Sequence, residues 1–221
     1  MARKDALTNN HVYHIFTRSI ANFKVFNTPE DFLRMIELIQ FFSLDKPPSK
    51  FSNFLKLDEV QENGFQVPFD KIASDQEKIV SIIAYCLMPT HIHLVLKQLK
   101  NGGITKYMKN LLDSYSRFFN VRHKRKGPLW EGRFNSKLVE TDNLLLHLTR
   151  YLHLNPVTAG IVNKPEDWKY SSYSEFISTS ELHICMFDDL MEITPAKYKK
   201  FVNDQKDYQR ELAQIKMIMM D

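Results

Sequence analysis

Two histidines separated by one residue, His91 and His93, stand in the run HIHLVLKQ. On a β-strand, residues i and i+2 project to the same face, so both imidazoles can reach one cation. Ile92 and Leu94 then point the other way, into a core. A lone pair of this kind is often incidental. A second group, Tyr151-Leu152-His153-Leu154-Asn155-Pro156, has helical spacing: Tyr151 and Asn155 lie one turn apart, and His147 precedes them by another turn. Such a face can deliver a phenol and an amide oxygen to one metal-bound phosphate. The same spacing also suits a core tyrosine and an asparagine that caps the helix before Pro156. On spacing alone that plainer reading is the better one.

The elements that must position these residues follow from periodicity. HVYHIFTRSI (11–20) alternates Val12, His14 and Phe16 against Tyr13, Ile15 and Thr17, which predicts a strand. Thr28-Pro29 opens a helix through FLRMIELIQFF, with Thr28 as N-cap and proline in the first turn. Residues 44–76 are polar and irregular and predict an insertion or long surface loop, with or without a short helix of its own. Runs 78–88 and 91–98 are apolar and β-type with only Pro89 and Thr90 between them, which predicts a hairpin or one strand with a sharp bend. A helix is expected from Ile104 to about His123, with Tyr107, Leu111, Leu112, Tyr115 and Phe118 on its buried stripe. FNSKLVE (134–140) predicts another strand. A further helix begins at Thr141 or Asp142 and is expected to stop at Asn155, because proline disfavours helical geometry before it. A Lys-rich helix is expected from 195 to about 219.

The 221 residues suit one domain with appendages, and 43% hydrophobic with 25% charged residues excludes extensive disorder. No apolar run approaches the roughly 18 residues that cross a bilayer. The opening MARKDALTNN has no apolar core, so no secretory signal is expected. Cys86 and Cys185 read as reduced core residues, consistent with a cytoplasmic protein. The net charge of +4 would not by itself indicate nucleic acid. Its distribution is more informative. Arg122, Lys124, Arg125, Lys126, Arg133 and Lys137 are opposed in their segment by Glu131 alone. That is either a phosphate-neutralising patch or a solvated basic loop.

Four stretches occur in a telling order: MPTHIHLVLK (88–97), GPLWEGRF (127–134), RYLHLNPVTAGIV (150–162) and PEDWKYSSY (165–173). Together they resemble the REP-associated tyrosine transposases, relatives of the small insertion-sequence transposases in the His-hydrophobic-His nuclease superfamily. The resemblance covers about residues 11–173 and leaves 44–76 and the C-terminal tail unmatched. It implies that His91 and His93 are metal ligands, that Tyr151 is the nucleophile and that Asn155 is a third ligand. Tyr115 is the competing tyrosine, but it has Phe119 rather than an oxygen ligand four residues on.

The implied activity is metal-dependent cleavage and rejoining of single-stranded or hairpin-bearing DNA, with Mg²⁺ or Mn²⁺ as cofactor and a covalent phosphotyrosine. In that setting Arg122, Lys124, Arg125, Lys126 and Lys137 track phosphates. Trp130 offers a stacking surface or anchors its loop to the core. Arg133 contacts a phosphate or a guanine edge. Two other readings stand beside this one: a catalytically silent DNA-binding regulator of the same fold, and a zinc-stabilised RNA-binding module with closed four-ligand coordination. The fold expected is α+β and ferredoxin-like, an antiparallel sheet of four or five strands with helices mainly on one face. Residues 1–175 would form the nuclease domain and 176–221 a helical extension. Association as a monomer or homodimer fits equally, and no membrane partner is expected.

Overall fold

A computed structural model describes residues 6–205. Four strands form one antiparallel sheet: β1 (Val12–Arg18), β2 (Val80–Met88), β3 (His91–Gln98) and β4 (Asn135–Val139), in the order β2-β3-β1-β4. Helix α1 (Pro29–Phe41) connects β1 to β2 by way of three short helices: α2 (Phe51–Phe54), α3 (Asp58–Asn63) and α4 (Gln66–Ala73). Helix α5 (Gly103–Arg122) connects β3 to β4. This βαββαβ path and strand order are those of the ferredoxin-like fold, as expected. Helix α6 (Asp142–Thr158), α7 (Tyr173–Phe176) and α8 (Pro195–Asn203) follow. The expected tail helix ends at Asn203 with Asp204 as its C-cap, and the rest of that expectation, from 206 on, lies outside the described residues.

The alternation read from β1 and β3 separates two faces. Tyr13, Ile15, Ile92, Leu94 and Leu96 join a large core beneath α1 and α5. Ala84, Cys86, Met88 and Val95 face the other way and join a smaller core with Leu145, Leu152 and Tyr198. The main helical layer therefore covers one face. The α6 helix packs against β2 on the second face.

Two departures from the sequence reading have physical causes. Residues 44–76 are a helical excursion rather than a loop: Phe51, Phe54, Phe65 and Phe69 enter the large core, with Phe54 fully buried. Aromatic residues spaced along a polar stretch gave no clear period from which to predict this. Helix α6 runs through Pro156 to Thr158. A proline there removes one backbone donor near the C-terminal end, and Pro156 and Val157 are both buried, so packing offsets the loss. Turn bonds from Ala159 N–H to Asn155 O and from Ile161 N–H to Pro156 O, both 2.9 Å, then close the helix.

Short links hold the site strands. The Pro89-Thr90 turn accepts Ser19 N–H and Val25 N–H at 2.8 Å each, tying the end of β1 to the start of β3. Gly103 starts α5 with its Cα against the Ile79 carbonyl, and a Cβ there would lie 2.4 Å from that oxygen. No helix among the described residues is long and apolar enough to cross a membrane.

Candidate active site

Antiparallel partners share a face, and the register therefore fixes which side chains meet. Arg18 lies opposite His91, Phe16 opposite His93, and Lys137 of β4 opposite His14. His91, His93, His14, Phe16 and Arg18 therefore stand on one patch of the second sheet face. The His91 and His93 rings are 5.0 Å apart and nearly perpendicular. His14 stacks on His93 at 5.2 Å, and its Nε2 lies 3.0 Å from His93 Nδ1. Thr90 Oγ1 lies 3.0 Å from His91 Nδ1.

One tautomer satisfies both of these hydrogen bonds and frees the site-facing nitrogens. With Nδ1 protonated on both β3 histidines, His91 donates to Thr90 and His93 donates to His14. Each Nε2 lone pair is then left for a ligand. Neither Nε2 has a hydrogen-bonding partner among the described residues. Burial first, and the Arg18 cation second, lower His91 from its usual 6.5 to about 4. Burial and then Lys137 lower His14 to about 4. His93 is 8% exposed, and burial, His91, His14 and Arg18 hold it well below 6.5. All three imidazoles are neutral at pH 7, the form that ligates metals.

Helix α6 brings the second group to the same patch. The Tyr151 ring meets the His93 ring edge-on at 6.0 Å and is 43% exposed. The core-tyrosine reading of this residue is not what the structure has. One turn on, Asn155 is nearly buried, and its Nδ2 has no hydrogen-bonding partner. That amide is not spent on capping. Burial, and then Cys86, raise the Tyr151 phenol above 10. The helix is held in place by its opposite side. Fully buried His153 places Nδ1 2.7 Å from Tyr198 Oη and Nε2 2.9 Å from Ser172 Oγ, and burial lowers it to about 3. Ser172 N–H donates to Tyr85 O at 3.0 Å and Trp168 Nε1 to Leu87 O at 3.0 Å, so the 165–173 motif fastens α6 to β2.

The expected nucleic-acid residues divide. Lys124, Lys126, Arg133 and Lys137 are exposed, Lys137 beside His14 and Arg133 lining a hollow of about 420 Å³ with Phe16 and Arg18. Arg122 instead pairs with Glu30 and Asp31 at 3.5 and 3.6 Å, bracing the start of α1. Arg125 binds its own loop, donating to Pro128 O at 2.8 Å and to Asn120 Oδ1 at 3.1 Å. Trp130 is 8% exposed, with its ring 6.1 Å from Tyr115: it anchors the loop rather than presenting a stacking face. His147 lies against Arg150 and Phe201, apart from the β3 histidines. Arg18 was not singled out from the sequence. Its only signal there was its place four residues after His14 on a predicted strand.

The fold and part of the sequence have counterparts among known proteins. Residues 58–155 match the family described as "Transposase IS200 like", a span that holds His91, His93, Tyr151 and Asn155 and begins inside the 44–76 segment. The chain is also similar to a protein of Haemophilus influenzae (strain Rd) that bears the name REP-associated tyrosine transposase. The two are 31% identical over 101 residues, covering 41% of this chain and 57% of that protein. The match thus spans little more than half the relative's length. A solved REP-associated tyrosine transposase bound to a REP hairpin shares the fold, with a TM-score of 0.54 at 13% identity over 88% of this chain and 96% of that one. The resemblance read from the four ordered motifs is therefore found by sequence and by fold.

Proposed function

We propose that this chain is a transposase that nicks and rejoins single-stranded DNA beside a hairpin, with Tyr151 as nucleophile. The observation that carries the reading is the half-exposed Tyr151 ring 6.0 Å from His93, both supplied by one chain on an open patch of the sheet.

A divalent cation suits the residues present. Two neutral imidazoles with free Nε2 atoms would hold it through nitrogen, and Asn155, whose Nδ2 has no partner to fix the amide, would add Oδ1. Those donors accept Mg²⁺ or Mn²⁺, the imidazoles favouring Mn²⁺. When bound, the cation polarises the phosphate and offsets developing negative charge. Among the described residues no group of three or more His, Cys, Asp or Glu gathers into a metal site, so a closed structural zinc centre draws no support from the geometry.

The chain's own part is positioning and proton handling. Because its phenol is held above the usual 10, Tyr151 meets the phosphate protonated and loses its proton as the Oη–P bond forms. The P–O3′ bond breaks, and the 3′ oxygen leaves as a hydroxyl, taking up one proton for the one that Tyr151 gives to solvent. The product is a 5′-phosphotyrosine, still a phosphodiester, so another 3′-hydroxyl can reverse the step. Arg18, Arg133 and Lys137 border the site and suit the phosphates on either side of the scissile one.

The test is incubation of a hairpin-bearing single strand with Mn²⁺ or Mg²⁺ and either the protein or its Tyr151→Phe variant. A denaturant-resistant protein–DNA adduct is expected from the unaltered chain, and none from the variant, which lacks the Oη that bonds phosphorus, nor from either protein with chelator. An adduct that persists in Tyr151→Phe overturns the assignment. Tight DNA binding with no cleavage under any metal would favour the silent regulator instead.

A further inference from the structure

Away from the β3 histidines, on the α1–α5 side of the sheet, a cleft of about 1050 Å³ opens between α1, α2 and α5. Its charge is one-sided: Arg34, Lys50, Lys56, Arg117 and Arg122 line it, with no carboxylate among its described lining residues. Arg122 is partly compensated by Glu30 and Asp31, and Arg34 by Glu37 at 4.0 Å. Lys50, Lys56 and Arg117 have no ion pair among the described residues and are exposed. The floor is aromatic. The Arg34 guanidinium is held between Phe118 and Phe51, 4.7 and 5.1 Å from the two ring centroids. Exposed Val121 forms part of the rim.

We infer that this cleft is a second nucleic-acid site, which takes an unpaired, phosphate-bearing segment of the DNA strand handled at Tyr151. The inference rests on the nuclease reading above. A guanidinium pre-oriented by two rings, apolar floor beside it and three uncompensated cations at the rim suit a base next to its backbone phosphates. Connectivity favours DNA over an acidic peptide. The cleft ends at Val121 and Arg122, where the basic segment begins. That segment exposes Lys124 and Lys126 on its way to Arg133, which lines the hollow bordering the site patch. Lysines and arginines therefore lead from the cleft toward the proposed catalytic face along one stretch of chain. The α2 part of the wall comes from residues 44–76, which gives that excursion a task beyond packing.

The experiment uses the full chain and a Lys50→Ala/Lys56→Ala/Arg117→Ala variant, all three changes lying at exposed positions. Fluorescence anisotropy compares a DNA hairpin alone with the same hairpin carrying single-stranded flanks, across a salt series. For the flanked DNA, the variant should lose at least about tenfold in affinity and about 2 from the slope of log K against log salt, at about 0.7 per single-strand phosphate contact released. Binding of the bare hairpin should not change. Equal flank affinity and slope in the two proteins overturns the cleft alone. Loss of flank binding by competition with an acidic peptide, with the salt slope unaltered in the variant, overturns it in favour of a protein partner. Failure of the unaltered chain to bind any single strand overturns the nuclease reading as well.

Discussion

Tyr115 on one face of the sheet and Tyr151 on the other each sit on a neighbouring helix and are put to opposite uses. On the α1–α5 face Tyr115 is fully buried, donates its hydroxyl to Val25 O at 2.5 Å and packs against Phe26, Phe119 and Trp130. On the other face Tyr151 is half-exposed, sits over a polar patch of histidines and has an unsatisfied amide one turn away. The first face commits its tyrosine hydroxyl to the backbone; Trp130 Nε1 and Asp31 Oδ1 lack a hydrogen bond there, the latter being ion-paired with Arg122. The other face gathers two imidazole nitrogens and Asn155 Nδ2 without partners beside one exposed tyrosine. A site withholds polar groups for a ligand where several of them converge.

The largest effect that should separate the faces is on stability. Phe41→Ala, in the large core, should cost about 3–5 kcal/mol in urea denaturation by opening a cavity among Phe42, Phe51 and Phe54. A loss below about 1 kcal/mol would mean that the α2–α4 excursion does not share in this core. Next comes His14→Ala, which removes the acceptor that fixes the His93 tautomer. Adduct formation should fall about 10–100-fold with little change in melting temperature, mainly through weaker metal binding seen by calorimetry. Unchanged Mn²⁺ affinity would reduce His14 to packing.

Smaller still is Tyr115→Phe, which strands the Val25 carbonyl. It should cost about 1 kcal/mol of stability and leave cleavage intact. Loss of cleavage at unaltered stability would reverse the roles of the two tyrosines. The last effect concerns the seam between the cores. Glu175 accepts Ile184 N–H at 2.7 Å and Cys185 N–H at 2.8 Å, and Cys185 packs against both clusters. Burial raises this carboxyl above its usual 4.5. Its protonated form favours the fold, so its contribution is fully present below 4.5 and is lost as pH rises through the folded value. Glu175→Gln, which keeps an acceptor without the charge, should flatten the dependence of the urea midpoint between pH 4.5 and 7. A dependence that stays as steep would place its origin elsewhere.

What could be read in the sequence divides along the same line. Strict alternation in HVYHIFTR and HIHLVLKQ located β1 and β3, and the i, i+2 and i, i+4 spacings chose His91, His93, Tyr151 and Asn155, because those relations are local. The partners of these residues are not local. His14 supports His93 across 79 residues, and Arg18 stands by His91 only because of the β1–β3 register. A one-residue slip would send both to the other face. The basic segment was legible as charge but not as geometry. Whether Arg122 meets a phosphate or Asp31 depends on where α1 begins in space, and Trp130 is inward because Tyr115 lies beneath it. The helical reading failed at Pro156, where burial outweighed one lost backbone bond.

The claim on which all this rests is that the exposed tyrosine, and not the buried one, forms a bond to DNA. The most direct measurement is mass spectrometry of the proteolysed covalent adduct formed with a hairpin-bearing strand and Mn²⁺. The account predicts that the nucleotide mass lies on the peptide containing Tyr151, at the tyrosine itself. A nucleotide on Tyr115, or on any other residue, would contradict it.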